Sequence, residues 1–197
     1  YCLTVPYASV RESLSGLLQE NPSLFSPEDF RYAITLIVRM DEKDRESPDL
    51  STVYASLSAY LEPMHLSFIY SERRLYHVVF HIYGHHEPSR STVALISEKL
   101  CGLLQPVCRF YIAIGDTVCG MPNVYNSYTS AVIALQNSFF FYPGTVLYSD
   151  TVNTLHTANT LYIEQEVGRY IEMLTENRAS DVKNCLDTFK EHLSKST

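Results

Sequence analysis

A chain of 197 residues, 46% hydrophobic and 19% charged with 7 Gly and 9 Pro, has a globular composition and length enough to bury a core without disulfides or metals. A net charge of -7 repels nucleic-acid phosphates, so no direct nucleic-acid contact is expected of this segment; five scattered cysteines without C-x-x-C argue against a disulfide framework or zinc ribbon and predict a reducing cytoplasm. No apolar run approaches the roughly 20 residues of a membrane span, no membrane contact is expected, and a start at Tyr1 rather than Met predicts a piece of a longer protein.

Pro6 suits a first helical turn, and Tyr7, Val10, Leu14, Leu17 and Leu18 then recur at spacings of three and four, predicting an amphipathic helix that ends near Asn21-Pro22. That spacing serves equally a short coiled-coil seam or docking on the chain's own domain. From Phe30 to Met40, Tyr32, Ile34, Leu36 and Val38 alternate with Ala33, Thr35 and Ile37, the pattern of a central strand covered on both faces. The charged stretch from Asp41 to Asp49 predicts a solvated loop, and Ser51 is expected to cap a helix through Leu61, stopped by Pro63. Leu66 to Tyr70 and Leu75 to Tyr83 predict a hairpin whose loop is Ser71-Glu72-Arg73-Arg74. Val93, Ile96, Leu100, Leu103 and Leu104 mark a helix ending before Pro106; Cys108 to Ile114 is a strand closed by Gly115-Asp116. A helix from about Asn123 to Ser138 leads through Phe139 to Tyr142 and Pro143-Gly144 into a strand from Thr145 to Tyr148. Ile163, Val167, Tyr170, Ile171 and Leu174, then Val182, Cys185, Leu186, Phe189 and Leu193, stripe two final amphipathic helices. The order predicts an α+β, ferredoxin-like five-stranded sheet with flanking helices, plus a C-terminal helical pair. If the strands at Leu75 and Ile114 are parallel, their connection should be right-handed.

The common catalytic signatures are missing. Gly115 and Gly120 have P-loop spacing, but Met121 stands where the phosphate-binding Lys belongs, and there is no G-x-S-x-G, H-E-x-x-H or G-x-G-x-x-G. His77 and His81 share a strand face about 13 Å apart, too far for one zinc, so these two with His85 and His86 read as packed or surface histidines. Asp41, Glu42, Asp44 and Glu46 are interleaved with Lys43 and Arg45, as on a solvated loop. Phe139 to Tyr142 reads as core packing rather than a ligand box. No metal and no cofactor is expected.

Phe110-Tyr111-Ile112-Ala113-Ile114-Gly115, then Ser127-Tyr128-Thr129-Ser130-Ala131-Val132-Ile133-Ala134-Leu135, then Phe141, Gly144 and Tyr148-Ser149-Asp150 form a strand ending in I-G, a helix bearing S-Y-x-x-A-x-x-A-L, an F-x-x-G turn and a strand ending in Y-x-D. This pattern resembles the degenerate GGDEF-like middle domain of large AraC-family transcriptional regulators. Tyr128, Ala131 and Leu135 share a helix face, and Ala131 and Ala134 are small enough for the helix to lie close on a sheet.

The resemblance implies a connector helix over 1–25, a degenerate GGDEF-like domain over 26–152 and a helical connector over 153–197. It implies a homodimeric, non-catalytic relay that joins an upstream receiver of a two-component system, or a membrane-anchored sensor, to a downstream helix-turn-helix. DNA binding then belongs to the parent protein. Active relatives hold metal with carboxylates after the first strand and at the central hairpin. By that alignment the first carboxylate falls on Arg39, and the hairpin signature falls on Ser71-Glu72-Arg73-Arg74-Leu75, so cyclase activity is expected to be absent. The second expectation is a small-molecule sensor that uses the degenerate cleft, with Arg39, Arg73 and Arg74 gathering an anion.

Overall fold

The computed structural model describes residues 2–12, 26–40, 49–73 and 76–150. In chain order they form helix α1 (residues 7–12), strand β1 (Tyr32–Met40), helix α2 (Ser51–Leu61), strands β2 (Leu66–Arg73) and β3 (His77–Gly84), helix α3 (Arg90–Leu104), strands β4 (Phe110–Ile114) and β5 (Val118–Cys119), helix α4 (Val124–Gln136) and strand β6 (Val146–Tyr148). The predicted continuation of the first helix through Leu18, the charged loop at 41–48 and the final helical pair lie outside the described residues.

The strands make one six-stranded mixed sheet in the order β2-β3-β1-β4-β6, with β5 also on β1. All pairings are antiparallel except β4 with β6. The architecture is therefore α+β. The central strand β1 is buried on both faces, as its two apolar alternations require. Ile34, Leu36 and Val38 meet Val78, Phe80, Ile82, Ile112 and Ile114 on one face, under Val53, Leu57 and Leu61 of α2 and Val93, Ile96, Leu100 and Leu104 of α3. Leu57, Leu61 and Leu100 are 0% exposed, each stabilising the fold by about 1.5–3 kcal/mol relative to an exposed side chain. On the opposite face, Ile37 and Val79 pack against Ala131 of α4, while Ala33, Phe30, Met121 and Val124 surround Leu3.

Caps and turns account for the element ends. Ser89 is extended and its hydroxyl accepts from Thr92 N at 3.1 Å, starting α3. At α2 the capping group is not Ser51, which is the first helical residue; Asp49 accepts from Ser51 N at 2.9 Å instead. That hydrogen bond lowers the Asp49 pKa.

Three further expectations are corrected. The hairpin loop is not Ser71 to Arg74: Ser71, Glu72 and Arg73 pair with Val79, Val78 and His77, and the chain turns immediately before His77, where Tyr76 has the left-handed φ of 59°. The sheet has a sixth strand, Val118–Cys119, paired with Ala33 and Tyr32. Tyr142, grouped with core aromatics by the sequence, is 79% exposed. The strands at each end of the Leu75 to Ile114 connection, β3 and β4, are both antiparallel to the β1 that lies between them, so they run parallel to each other, as the handedness expectation required.

Candidate functional site

The residues quoted for the family resemblance meet where the end of β4 passes under α4. Gly115 N donates to Thr35 O at 2.9 Å, which holds the chain against β1 just beyond the last β4 residue. A Cβ on Gly115 would collide with the Ser127 carbonyl oxygen and lie 2.9 Å from both the Ser127 carbonyl carbon and Ser130 Oγ. Glycine is therefore required here by close approach. Ser127 is fully buried, and its Oγ accepts from Thr35 N at 2.8 Å. Ser130 Oγ donates to Ser127 O at 3.1 Å and accepts from Asp116 N at 2.8 Å, and Asp116 Oδ1 accepts from Ser149 Oγ at 2.6 Å. Ala131 and Ala134 are 0% exposed, with Tyr128 and Leu135 packed beside Ala131. One connected set of contacts thus ties β1, β4, α4 and the end of β6.

Gly144 stands apart from that set. Its φ of 92° favours glycine, and its N donates to Phe110 O at 2.6 Å to start β6. Asp150 is exposed, just past β6.

The positions aligned with the lost metal site divide between the two sheet faces. Arg39 pairs with His77 and with Tyr111, and His77 pairs with Arg73, so one cross-strand row reads Arg73, His77, Arg39, Tyr111 over β2, β3, β1 and β4. The row lies on the α4 side, one pleat beyond Ser71, Val79, Ile37 and Ala113. The Arg39 guanidinium sits 4.7 Å over the Tyr111 ring, and that of Arg73 sits 5.8 Å over the Tyr128 ring while donating to Thr4 Oγ1. Ser71 Oγ is buried with no hydrogen-bond partner among the described residues.

Glu72 points to the other face, where its carboxylate accepts from Tyr54 OH at 2.8 Å. Burial and then that hydrogen bond raise the Tyr54 pKa far above its ordinary value. The only carboxylate among the six aligned residues is thus turned away from the basic row. Arg74 and Leu75 lie outside the described residues.

Of the histidines, His81 is 3% exposed, with Nδ1 3.0 Å from Thr35 Oγ1. Burial, reinforced by the positive charge of Arg73, pushes its pKa down to about 3, so it is neutral at pH 7. His85 lies 3.9 Å from Asp29 at the surface. Among the described residues no three His, Cys, Asp or Glu side chains gather as metal ligands. Cys101 and Cys119 are free thiols.

Thr4, Thr35, His77 as a row member, Tyr111 and Asp116 were not singled out by the sequence as site residues. Alternation assigns Thr35 and His77 to a face but gives no cross-strand partner. No known protein family matches the chain, and no curated protein does.

Proposed function

We propose that this chain is a non-catalytic signal-relay and dimerisation region of a bacterial AraC-family transcriptional regulator, coupling an upstream receiver or sensor to a downstream helix-turn-helix. The β4–α4 lock carries the reading: Gly115, Ser127, Ala131 and Ala134 of the quoted motif all serve one close helix-to-sheet contact. A relay needs such a rigid seat for a transmitting helix. The finer fold reading is a GGDEF-like variant of the ferredoxin-like sheet. It is supported by the order β2-β3-β1-β4, which is two interlocked split β-α-β units through α2 and α3, and by β6 added beside β4 after α4.

Absence of catalysis is part of the proposal. A divalent cation seeks hard oxygen ligands, whereas Arg39, His77 and Arg73 offer positive charge and nitrogen donors on that face. Sequencing the gene across both ends of the 197-residue region tests the relay. A helix-turn-helix pair encoded downstream is the expected result, and a stop codon soon after Thr197 refutes it. A second reading, small-molecule sensing in the degenerate cleft, is favoured by one observation, the basic row with the unpartnered Ser71 hydroxyl beside it.

A further inference from the structure

At the end of the sheet opposite Arg39, where Tyr32, Gly84 and Leu66 form the last cross-strand row, the described residues enclose an open cleft of about 600 Å³. That volume is typical of small-molecule sites, which span about 300–1,000 Å³. Five polar side chains line the cleft: Ser58 and Glu62 at the end of α2, His65 in the turn that follows, Ser67 of β2 and Tyr83 of β3. Glu62 N donates to Ser58 O, which places these two side chains one helical turn apart on the same face, and Ser67 and Tyr83 are cross-strand partners. None of the five hydroxyl, carboxylate and imidazole groups has a hydrogen-bond or ion-pair partner among the described residues, and Ser58, Glu62, His65 and Ser67 are exposed. The groups that converge here are therefore both uncommitted and reachable.

The turn between α2 and β2 holds His65 in the left-handed region, with φ of 55° and its N donating to Glu62 O at 3.0 Å. Glycine or asparagine ordinarily fills such a position. An imidazole is retained at the cleft against that backbone preference.

The lining selects a ligand chemistry by what it offers and what it lacks. No Lys or Arg contributes, and Glu62 is negative, so an anion finds no counter-charge. An organic cation is little better served, because an exposed carboxylate gives a weak ion pair and an ammonium group brings donors alone, leaving the hydroxyl donors unmatched. Phe68 and Tyr83 are the two aromatic rings of the lining, and the strand register puts them on opposite faces of the sheet, so they cannot sandwich a flat heterocycle. Each can cover one side of a saturated ring. Hydroxyls, an imidazole and a carboxylate together supply donors and acceptors in several directions, which match a molecule whose own groups are hydroxyls.

We propose that Ser58, Glu62, His65, Ser67 and Tyr83 form a binding site for an uncharged polyhydroxylated ligand, a sugar or cyclic polyol. The Glu62 carboxylate accepts from two ligand hydroxyls, His65 and the protein hydroxyls donate and accept around the ring, and Phe68 meets its C–H surface. The site is separate from the degenerate cleft, and its occupancy goes beyond the relay reading, which stands or falls without it.

The test is ligand-observed saturation-transfer NMR on the full 197-residue chain with D-glucose, D-xylose, myo-inositol and maltose, and with choline and inorganic phosphate as cationic and anionic comparisons. Wild type, Glu62→Gln and His65→Gly are titrated in parallel, and thermal unfolding of each verifies that it is folded. His65→Gly should melt no lower than wild type, since glycine takes a left-handed φ without strain. The expected result is saturable binding of at least one of the four polyhydroxylated probes, weakened about tenfold by Glu62→Gln and several-fold by His65→Gly. Binding of choline or phosphate without any of the four overturns the ligand class. Absence of saturable binding by all four, or binding indifferent to both substitutions in folded variants, overturns the site.

Discussion

Acidification should destabilise this domain through His81. Its ring is 3% exposed on β3 beneath α4, and its folded pKa lies near 3 against an ordinary value of 6.5. The unfolded chain takes up the proton as pH falls through 6.5, while the folded chain resists until about pH 3. Between those values the unfolded state binds more protons, so stability is complete above the unfolded pKa and declines as pH falls. At pH 5 the loss is about 2 kcal/mol, and across the whole window it approaches about 5 kcal/mol at roughly 1.4 kcal/mol per pH unit. Against a typical domain stability of about 5–15 kcal/mol, the pH 5 loss alone is substantial. Urea unfolding followed by circular dichroism at pH 7.5 and pH 5 would measure it, with His81→Gln as the comparison because it keeps a polar side chain opposite Thr35 and cannot titrate. The stability difference between wild type and variant should shift by about 2 kcal/mol over that interval, in the variant's favour at pH 5. A difference that stays constant within about 0.5 kcal/mol would refute the claim that burial holds this imidazole neutral.

Gly115→Ala drives a methyl group into the Ser127 carbonyl and should cost about 3 kcal/mol, a Tm loss of roughly 6–12 °C in a domain of this size; an unchanged melting curve would mean that α4 does not seat there. The purified chain should convert no guanosine triphosphate to a cyclic dinucleotide with magnesium present, and product detected by chromatography would overturn the assignment of Arg39 to the lost metal position. Leu14→Asp, placed on the heptad-like stripe, should turn a concentration-dependent dimer into a monomer with its circular dichroism preserved. A wild type that sediments as a monomer at high concentration would remove dimerisation through that helix.

Local pattern was informative wherever the residues that set an element are close in sequence. The two alternating apolar sets of β1 announced a strand covered twice, and the stripe from Val93 to Leu104 announced α3. Ser71, Glu72 and Arg73 misled because charged residues are common both in loops and on edge strands, and β2 lies at the edge of the sheet. The turn that ends the hairpin relies on Tyr76 in a left-handed conformation rather than on a glycine, so its usual marker is missing. Val118–Cys119 is too short for any period to register. The importance of Gly115 was visible as part of a motif, but its reason, the passage of the Ser127 carbonyl over it, depends on a helix that begins nine residues later, at Val124.

The basic row was invisible for a different reason. A period of two places a side chain on a face, yet which residue lies opposite is set by register, and register depends on the whole apolar set. Here Val78, Phe80 and Ile82 must face α2 and α3, and Val79 must meet Ile37 and Ala131 beneath α4. Once those positions are fixed, Ser71 lies beside Val79, Arg73 beside His77, and His77 beside Arg39. Had the chain turned at Ser71 to Arg74, as the local polarity suggested, Arg73 would sit in a loop and no row would exist. A one-residue slip of β2 would instead send Arg73 to the opposite face and bring Glu72 to the α4 side, placing a carboxylate beside the row. The row therefore follows from the packing of the core, and a substitution that alters the register of β2 should separate Arg73 from His77 even when every basic residue is retained.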